Sequence, residues 1–348
     1  MPSRDATPTV EASLKGVRYV DVEVDHDNLM SSVLSLITHF FPSWSVPHDV
    51  KLIQCTAGIT NKLVRCVHIP TGESALVRAY GKGSDLLIDR QQELLSILTF
   101  SNIGLCPPLH GRFRNGIVYG FIEGTPFSVD DMRDPQKSLL VASRLATWHK
   151  VNMPIDRTPR LFRTIWKWAD AIPATYSNPD KQKQFQETID LEKIKLELRD
   201  LEKRVEALKS PVVFCHNDLL SGNIVLSSDG DSVNFIDYEY GAFSYRGFDI
   251  GNHFCEYAGF ECNYGHYPSR QQQLSFLRTY LQTFHSAPPT DEEVDGLYRE
   301  VDVFAQCSHM FWGVWALVQA EVSDLDFDYL EYAGGRFGEY WRREGVVG

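Results

Sequence analysis

The sequence predicts an α+β protein in two parts, a strand-rich first third and a larger helical remainder. Three observations carry this. Short β-prone runs separated by turn signals recur between Val17 and Ile122. From Pro126 onward apolar residues recur at helical spacing. Between Pro211 and Ile236 a strand, a polar loop and a hairpin interrupt the helices, and the loop carries His216-Asn217-Asp218.

Residues 1–16 lack the apolar core of a signal peptide and read as a disordered tail. Val17 to Val24 alternates and predicts a strand. A helix over Asp27–Phe41 follows from Leu29, Val33, Leu36, Ile37 and Phe40, with Pro42 as its stop. Pro47 to Thr60 leads into Ala57-Gly58-Ile59-Thr60-Asn61-Lys62-Leu63. Then come a strand over Leu63–Ile69, a Thr71-Gly72 turn and a strand over Ala75–Tyr80. Strand, polar loop and hairpin is the layout of a nucleotide-covering loop and equally of a plain hairpin; GxGxxG is absent, so the pattern alone leaves both open. Arg78 offers a planar fork for phosphate oxygens, or is a solvated edge-strand arginine. Asp89–Phe100 predicts a helix carrying Glu93, ended by Pro107-Pro108. Leu109–Phe113 and Ile117–Ile122 flank the hairpin signal Arg114-Asn115-Gly116.

In the helical part, Pro135–Val151 carries Trp148-His149, with His149 read as structural, and Leu161–Ala174 carries Trp166 and Trp168. Residues 181–209 predict one amphipathic helix, with Leu191, Ile194, Leu198, Leu201, Val205 and Leu208 at spacings of 3, 4, 3, 4, 3. That stripe suits a homodimer seam or packing on its own lobe; its short length favours the lobe. Gln271–Phe284 is a further helix, and Thr290-Asp291-Glu292-Glu293 reads as a capped start. Tyr298–Val322 is apolar nearly all round. Asp302, Gln306 and His309 interrupt it, so it reads as a buried helix and not a membrane span. A final helix runs to Trp341.

The net charge of −12 argues against nucleic acid and anionic membrane surfaces as partners, and suits a cationic substrate. Seven scattered cysteines without a CxxC fit reduced thiols and a cytoplasmic protein. No apolar run is long enough for membrane insertion.

The polar loop carries the chemistry. Asp218 follows a strand, Asn223 stands five residues on where the chain re-enters a strand, and Asp237 ends the next one. Such an array serves phosphoryl transfer: Asp218 accepts the proton of an attacking hydroxyl, while Asn223 and Asp237 hold Mg²⁺ on the phosphates. Glu239 is a weaker metal candidate. Asn and Asp also cap turns for no other reason. The Asn offset and the Ile-Asp after a hairpin favour the catalytic reading.

His-Asn-Asp-Leu-Leu-Ser-Gly-Asn (216–223), Ile-Asp-Tyr-Glu-Tyr (236–240) and Tyr-Arg-Gly-Phe-Asp-Ile-Gly-Asn-His-Phe-Cys-Glu (245–256) together resemble the choline/ethanolamine kinase family. The resemblance covers roughly residues 40–345. It implies a protein-kinase-like, aminoglycoside-phosphotransferase-like two-lobe fold. A small β-rich N-lobe spans 17–122 and a large helical C-lobe 123–348. It implies that Asn61 and Lys62 belong to a loop covering the ATP phosphates and that Arg78 binds phosphate and pairs with Glu93. Phe121 and Ile122 would meet adenine through their backbone at the hinge. It also implies an amine pocket walled by Tyr240, Glu256, Trp312, Trp315 and Tyr332. From spacing alone, Trp312 and Trp315 are core residues.

Glu256-Tyr-Ala-Gly, Gly-Ile-Thr-Asn-Lys-Leu and Asp326-Phe327-Asp328-Tyr329-Leu330 lean to the ethanolamine branch. The expected activity is ATP- and Mg²⁺-dependent phosphorylation of ethanolamine, the first step toward phosphatidylethanolamine. The alternatives are a choline or dual-specificity kinase, an antibiotic or sugar phosphotransferase of the same fold, and an inactive kinase fold that only binds. The last predicts a lost base or metal ligand. A protein kinase is disfavoured because Asp237 is followed by Tyr-Glu and not Phe-Gly.

Overall fold

The structure, a computed structural model, describes residues 14–55, 61–81, 88–323 and 325–344. The chain divides into two compact units. One runs through Gly124 and takes in Met153–Ile155; the other holds Thr125–Asn152 and the chain from Asp156 on.

The first unit is built on a sheet whose order is β1-β5-β6-β4-β3-β2 among the described residues. Its strands are β1 (Tyr19–Val20), β2 (Val50–Cys55), β3 (Asn61–His68), β4 (Ser74–Tyr80), β5 (Leu109–Phe113) and β6 (Gly116–Gly120). Helix α1 (Leu29–Phe40) lays Val33, Leu36 and Ile37 against Val64, Cys66, Ala75 and Val77 of the sheet. Helix α2 (Arg90–Asn102) starts at Asp89, whose side chain accepts the Gln92 N–H. The strand expected over 17–24 shrinks to two residues. Beyond it the Val22 N–H turns back to Val20 O, and Val24 exchanges both backbone bonds with the Asn115 side chain instead of a ladder partner.

The second unit is mainly helical: α3 (Val129–Arg133), α4 (Pro135–His149), α5 (Leu161–Ala171), α6 (Pro179–Thr188), α7 (Leu191–Leu208), α8 (Arg246–Cys255), α9 (Arg270–His285), α10 (Asp291–Val322) and α11 (Tyr329–Glu344). Two small sheets sit among them. One orders β10 (Val233–Phe235), β9 (Ile224–Leu226) and β7 (Thr125–Pro126); the other pairs β8 (Val212–Cys215) with β11 (Ala242–Tyr245).

The spine is α10, buried almost without a break from Phe304 to Ala320. Its start lies a helical turn or more before the expected Tyr298, because Thr290 and Glu293 form a reciprocal capping box. Helix α8 lies directly on it. A Cβ at Gly251 would stand 2.8 Å from the Ala305 nitrogen and 2.9 Å from the Val301 oxygen, so this approach requires glycine. Among the described residues no helix is long and apolar enough to cross a membrane.

The helix expected over 181–209 is two. Ile189 is extended, and Asp190 caps a fresh start by accepting the Lys193 N–H. The apolar stripe belongs to the second helix alone, from Leu191 on; no Gly or Pro marks the break, so the sequence pattern merges the two. Helix α7 buries Ile194, Leu198, Leu201 and Val205 within its own unit, and Arg204 on it donates to Gln306 and to the Tyr340 hydroxyl.

Candidate active site

The polar loop after β8 is held by its backbone. Asp249, one turn into α8, accepts the His216 N–H and the Asn217 N–H, each at 2.7 Å. His149 of α4 donates Nε2–H to the same carboxylate at 2.9 Å, and its Nδ1 meets the Tyr280 hydroxyl of α9 at 2.7 Å. Burial pushes the Asp249 pKa up, but the His149 hydrogen bond and charge outweigh it. The group ends below the ordinary carboxylate range. Its stabilisation is therefore complete above that range and is lost as pH falls through the depressed value. Removing it leaves two buried amides and an imidazole without their acceptor. We expect Asp249→Ala to cost about 3–5 kcal/mol of unfolding free energy, measured by urea titration. A loss under about 1 kcal/mol, within the range of ordinary surface changes, contradicts that role.

The His216 ring is fully buried and burial lowers its pKa, so it is neutral. Its Nε2–H donates to Ile236 O at 2.9 Å and its Nδ1 accepts the Asp218 N–H at 3.3 Å. One ring thus ties the loop to the chain just before Asp237. Asn217 takes a left-handed φ of 66°, which Asn tolerates. That twist turns Asp218 back toward Asn223, whose Nδ2 donates to Asp218 Oδ2 at 3.0 Å and to its backbone oxygen at 2.8 Å. Asp237, two residues past β10, is also left-handed at φ 62°.

Burial first, then the charges of Asp237, Glu256 and Glu239, push Asp218 well above the usual carboxylate range. Carboxylates crowded this way ask for a cation. With its nitrogen spent on Asp218, Asn223 offers Oδ1. Amide and carboxylate oxygens are the donor set of a hard divalent ion such as Mg²⁺.

Beside this cluster an aromatic wall rises from α10 and α11. Trp315 Nε1–H donates to the Tyr240 hydroxyl at 2.9 Å. Trp312 Nε1–H donates to Asn252 Oδ1 at 2.7 Å, and Asn252 Nδ2 donates to Asn217 O at 3.2 Å, so one amide couples the indole to the polar loop. The Tyr240 and Trp312 rings stand 5.4 Å apart, edge to face, and the two indoles 5.3 Å apart. Ring contacts continue through Tyr329 and Phe327 to Tyr332 and Phe260. Burial holds the Tyr240 phenol neutral, with its pKa well above the usual value. Glu256, 7% exposed, is ion-paired with Arg336, whose Nε–H donates to the Tyr332 hydroxyl at 2.9 Å.

The structure thus brings Asp218 and Asn223 into contact, with Asp237 and Glu239 close enough for their charges to act on Asp218. Tyr240, Trp312 and Trp315 touch directly. Glu256 and Tyr332 meet through Arg336. In the first unit, Arg78 Nη1 lies 2.8 Å from Glu93 Oε1 as a buried ion pair, and Arg90 holds Oε2 at 2.9 Å. Lys62 donates to His26 O at 2.8 Å. Asn61 opens β3, opposite Tyr80; its side chain and Gly58–Thr60 lie outside the described residues. The Arg65 guanidinium stacks 3.7 Å over the Phe121 ring, and Ile122 is half-buried.

Spacing in the sequence assigns no role to Asp249, Asn252, His216 or Arg336. The first three lie inside the 216–256 motif. Arg336 carried one signal, its place one helical turn beyond Tyr332.

The family model for choline/ethanolamine kinase matches residues 52–341. A protein of Dictyostelium discoideum, a probable ethanolamine kinase A, is 38% identical over 329 residues, which cover 91% of this chain and 93% of that one. An ethanolamine kinase of Plasmodium vivax superposes at a TM-score of 0.82 with 28% identity, over 98% of this chain and 95% of its own. A choline kinase of Cryptosporidium parvum superposes at 0.75 with 26% identity, over 91% and 96%.

Proposed function

The chain belongs to the choline/ethanolamine kinase family, and on that premise we propose that it transfers the γ-phosphoryl group of ATP to the hydroxyl of ethanolamine. The observation that carries the reading is the meeting of a buried Asp218–Asn223 pair with an aromatic and carboxylate wall in one unit. Asp218 takes the hydroxyl proton as the oxygen attacks phosphorus, with Asn223 fixing its carboxylate. Asn223 Oδ1 and Asp237 would hold Mg²⁺, with Glu239 in support. When bound, the ion spreads the charge of the transferring phosphoryl group. A cation held by Asp237 and Glu239 would offset part of their like-charge push on Asp218. The product is a phosphomonoester suited to the synthesis of phosphatidylethanolamine.

Ethanolamine is preferred on chemical grounds. A primary ammonium brings three N–H donors and meets a carboxylate at Glu256; a trimethylammonium brings none and binds through ring faces. Choline would leave that acceptor underpaired, a cost of roughly 1–3 kcal/mol, or about ten- to a hundredfold in specificity constant. The continuous ring wall suits either amine, so a choline or dual-specificity kinase is the second reading. ADP release measured with ethanolamine, choline and an aminoglycoside side by side tests both. A specificity-constant ratio of one or below for ethanolamine over choline moves the chain to the choline branch. Turnover of the aminoglycoside alone removes the amino-alcohol reading.

A further inference from the structure

Arg336 on α11 is 1% exposed. A guanidinium taken that far out of water is costly unless its partners are well placed. Its Nη2 meets Glu256 Oε1 and its Nε–H meets the Tyr332 hydroxyl, while its Nη1 has no hydrogen-bond partner among the described residues. These two contacts therefore set its position. They join two walls of the amine pocket that come from different elements: Glu256 from the 3₁₀ turn Glu256–Ala258 closing α8, and Tyr332 from the first turn of α11.

We propose that Arg336 is a positioning residue that selects the amine, by fixing which oxygen of Glu256 is offered to it. The proposal rests on the ethanolamine reading and deepens it. With Oε1 spent on the guanidinium, Oε2 is the acceptor left for an ammonium N–H, and the ion pair holds its direction. The pair is locally neutral, so bare positive charge gains little from Glu256; a donor pointed at Oε2 gains a hydrogen bond. A primary ammonium reads that direction. A trimethylammonium does not, because it has no N–H to point. A purely structural Arg336, stapling α11 to α8, predicts instead that all substrates suffer together.

The test uses purified full-length protein with Arg336→Lys and Tyr332→Phe. Lysine keeps the charge and loses the two-armed fork; phenylalanine keeps the ring and removes only the acceptor of Nε. KM and kcat are measured for ethanolamine, N,N-dimethylethanolamine, choline and MgATP, with thermal melts alongside. In Arg336→Lys we expect the ethanolamine KM to rise about tenfold, with kcat and the MgATP KM nearly unchanged. The ethanolamine-over-choline ratio of specificity constants should then fall by about tenfold. Dimethylethanolamine, with one donor, should fall between. Tyr332→Phe should move the ratio the same way and less. An unmoved ratio in both variants, or parallel losses for both amines and MgATP, overturns the proposal. If Arg336→Lys does not fold, the Tyr332→Phe ratio decides alone. A parent without activity on ethanolamine removes the premise and the proposal together. An active parent with an unmoved ratio removes the proposal alone.

Discussion

Asp218→Asn is expected to cut turnover on ethanolamine by at least about a hundredfold, the loss of a general base, while MgATP still binds. The substitution keeps shape and volume but cannot accept the hydroxyl proton. A second readout separates this from misfolding. Asp218 is buried, and its carboxyl stands well above the ordinary range from burial and from the charges of Asp237, Glu256 and Glu239. A carboxylate raised in this way costs stability wherever the unfolded chain would have it ionised, so at neutral pH its removal relieves the fold. The variant should therefore melt no lower than the parent while losing activity, the trade expected of a group kept for chemistry. Near-normal turnover refutes the assignment of the base. A large drop in melting temperature refutes the electrostatic account.

Asp237→Ala should be inactive at every Mg²⁺ concentration, because it removes the carboxylate proposed to bind the ion directly. Asn223→Ala would remove only a neutral proposed ligand and should recover part of its activity at high Mg²⁺ or with Mn²⁺. Asp237 sits at φ 62°, where alanine is strained by roughly 1–2 kcal/mol. Asp237→Asn, which tolerates that backbone, is the matched control and should also be nearly inactive. Titration calorimetry settles the role: if either Asp237 variant binds MgATP as tightly as the parent, Asp237 is not a ligand.

What was legible in the sequence was local. Asp218, Asn223 and Asp237 lie in one short strand–loop–hairpin, so their spacing alone carried their geometry. The sequence shows the capped start at Thr290 but places the apolar helix only from Tyr298, since the polar first turns of α10 hide its apolar period. Short strands were hard to see: β11, Ala-Phe-Ser-Tyr, has no alternation of its own and exists because β8 pairs with it. The partners that fix the site were illegible for a different reason. Arg336 lies 80 residues from Glu256, and His149 lies 100 from Asp249. A buried arginine reads in sequence as a solvated one until its carboxylate is known.

The bonding of Asp249 bears on when this loop can open. Two consecutive amides, His216 and Asn217, donate to a single carboxylate that is itself clasped by an imidazole from α4. Neither amide can meet solvent unless α8 separates from the loop, and α8 is seated on the spine through Gly251. In a deuterium-exchange experiment these two protons should accordingly be replaced only as fast as the whole second unit unfolds, while the amides of the exposed Asp229–Asp231 turn exchange from the native state. The backbone that carries the proposed base would then belong to the last part of the unit to come apart.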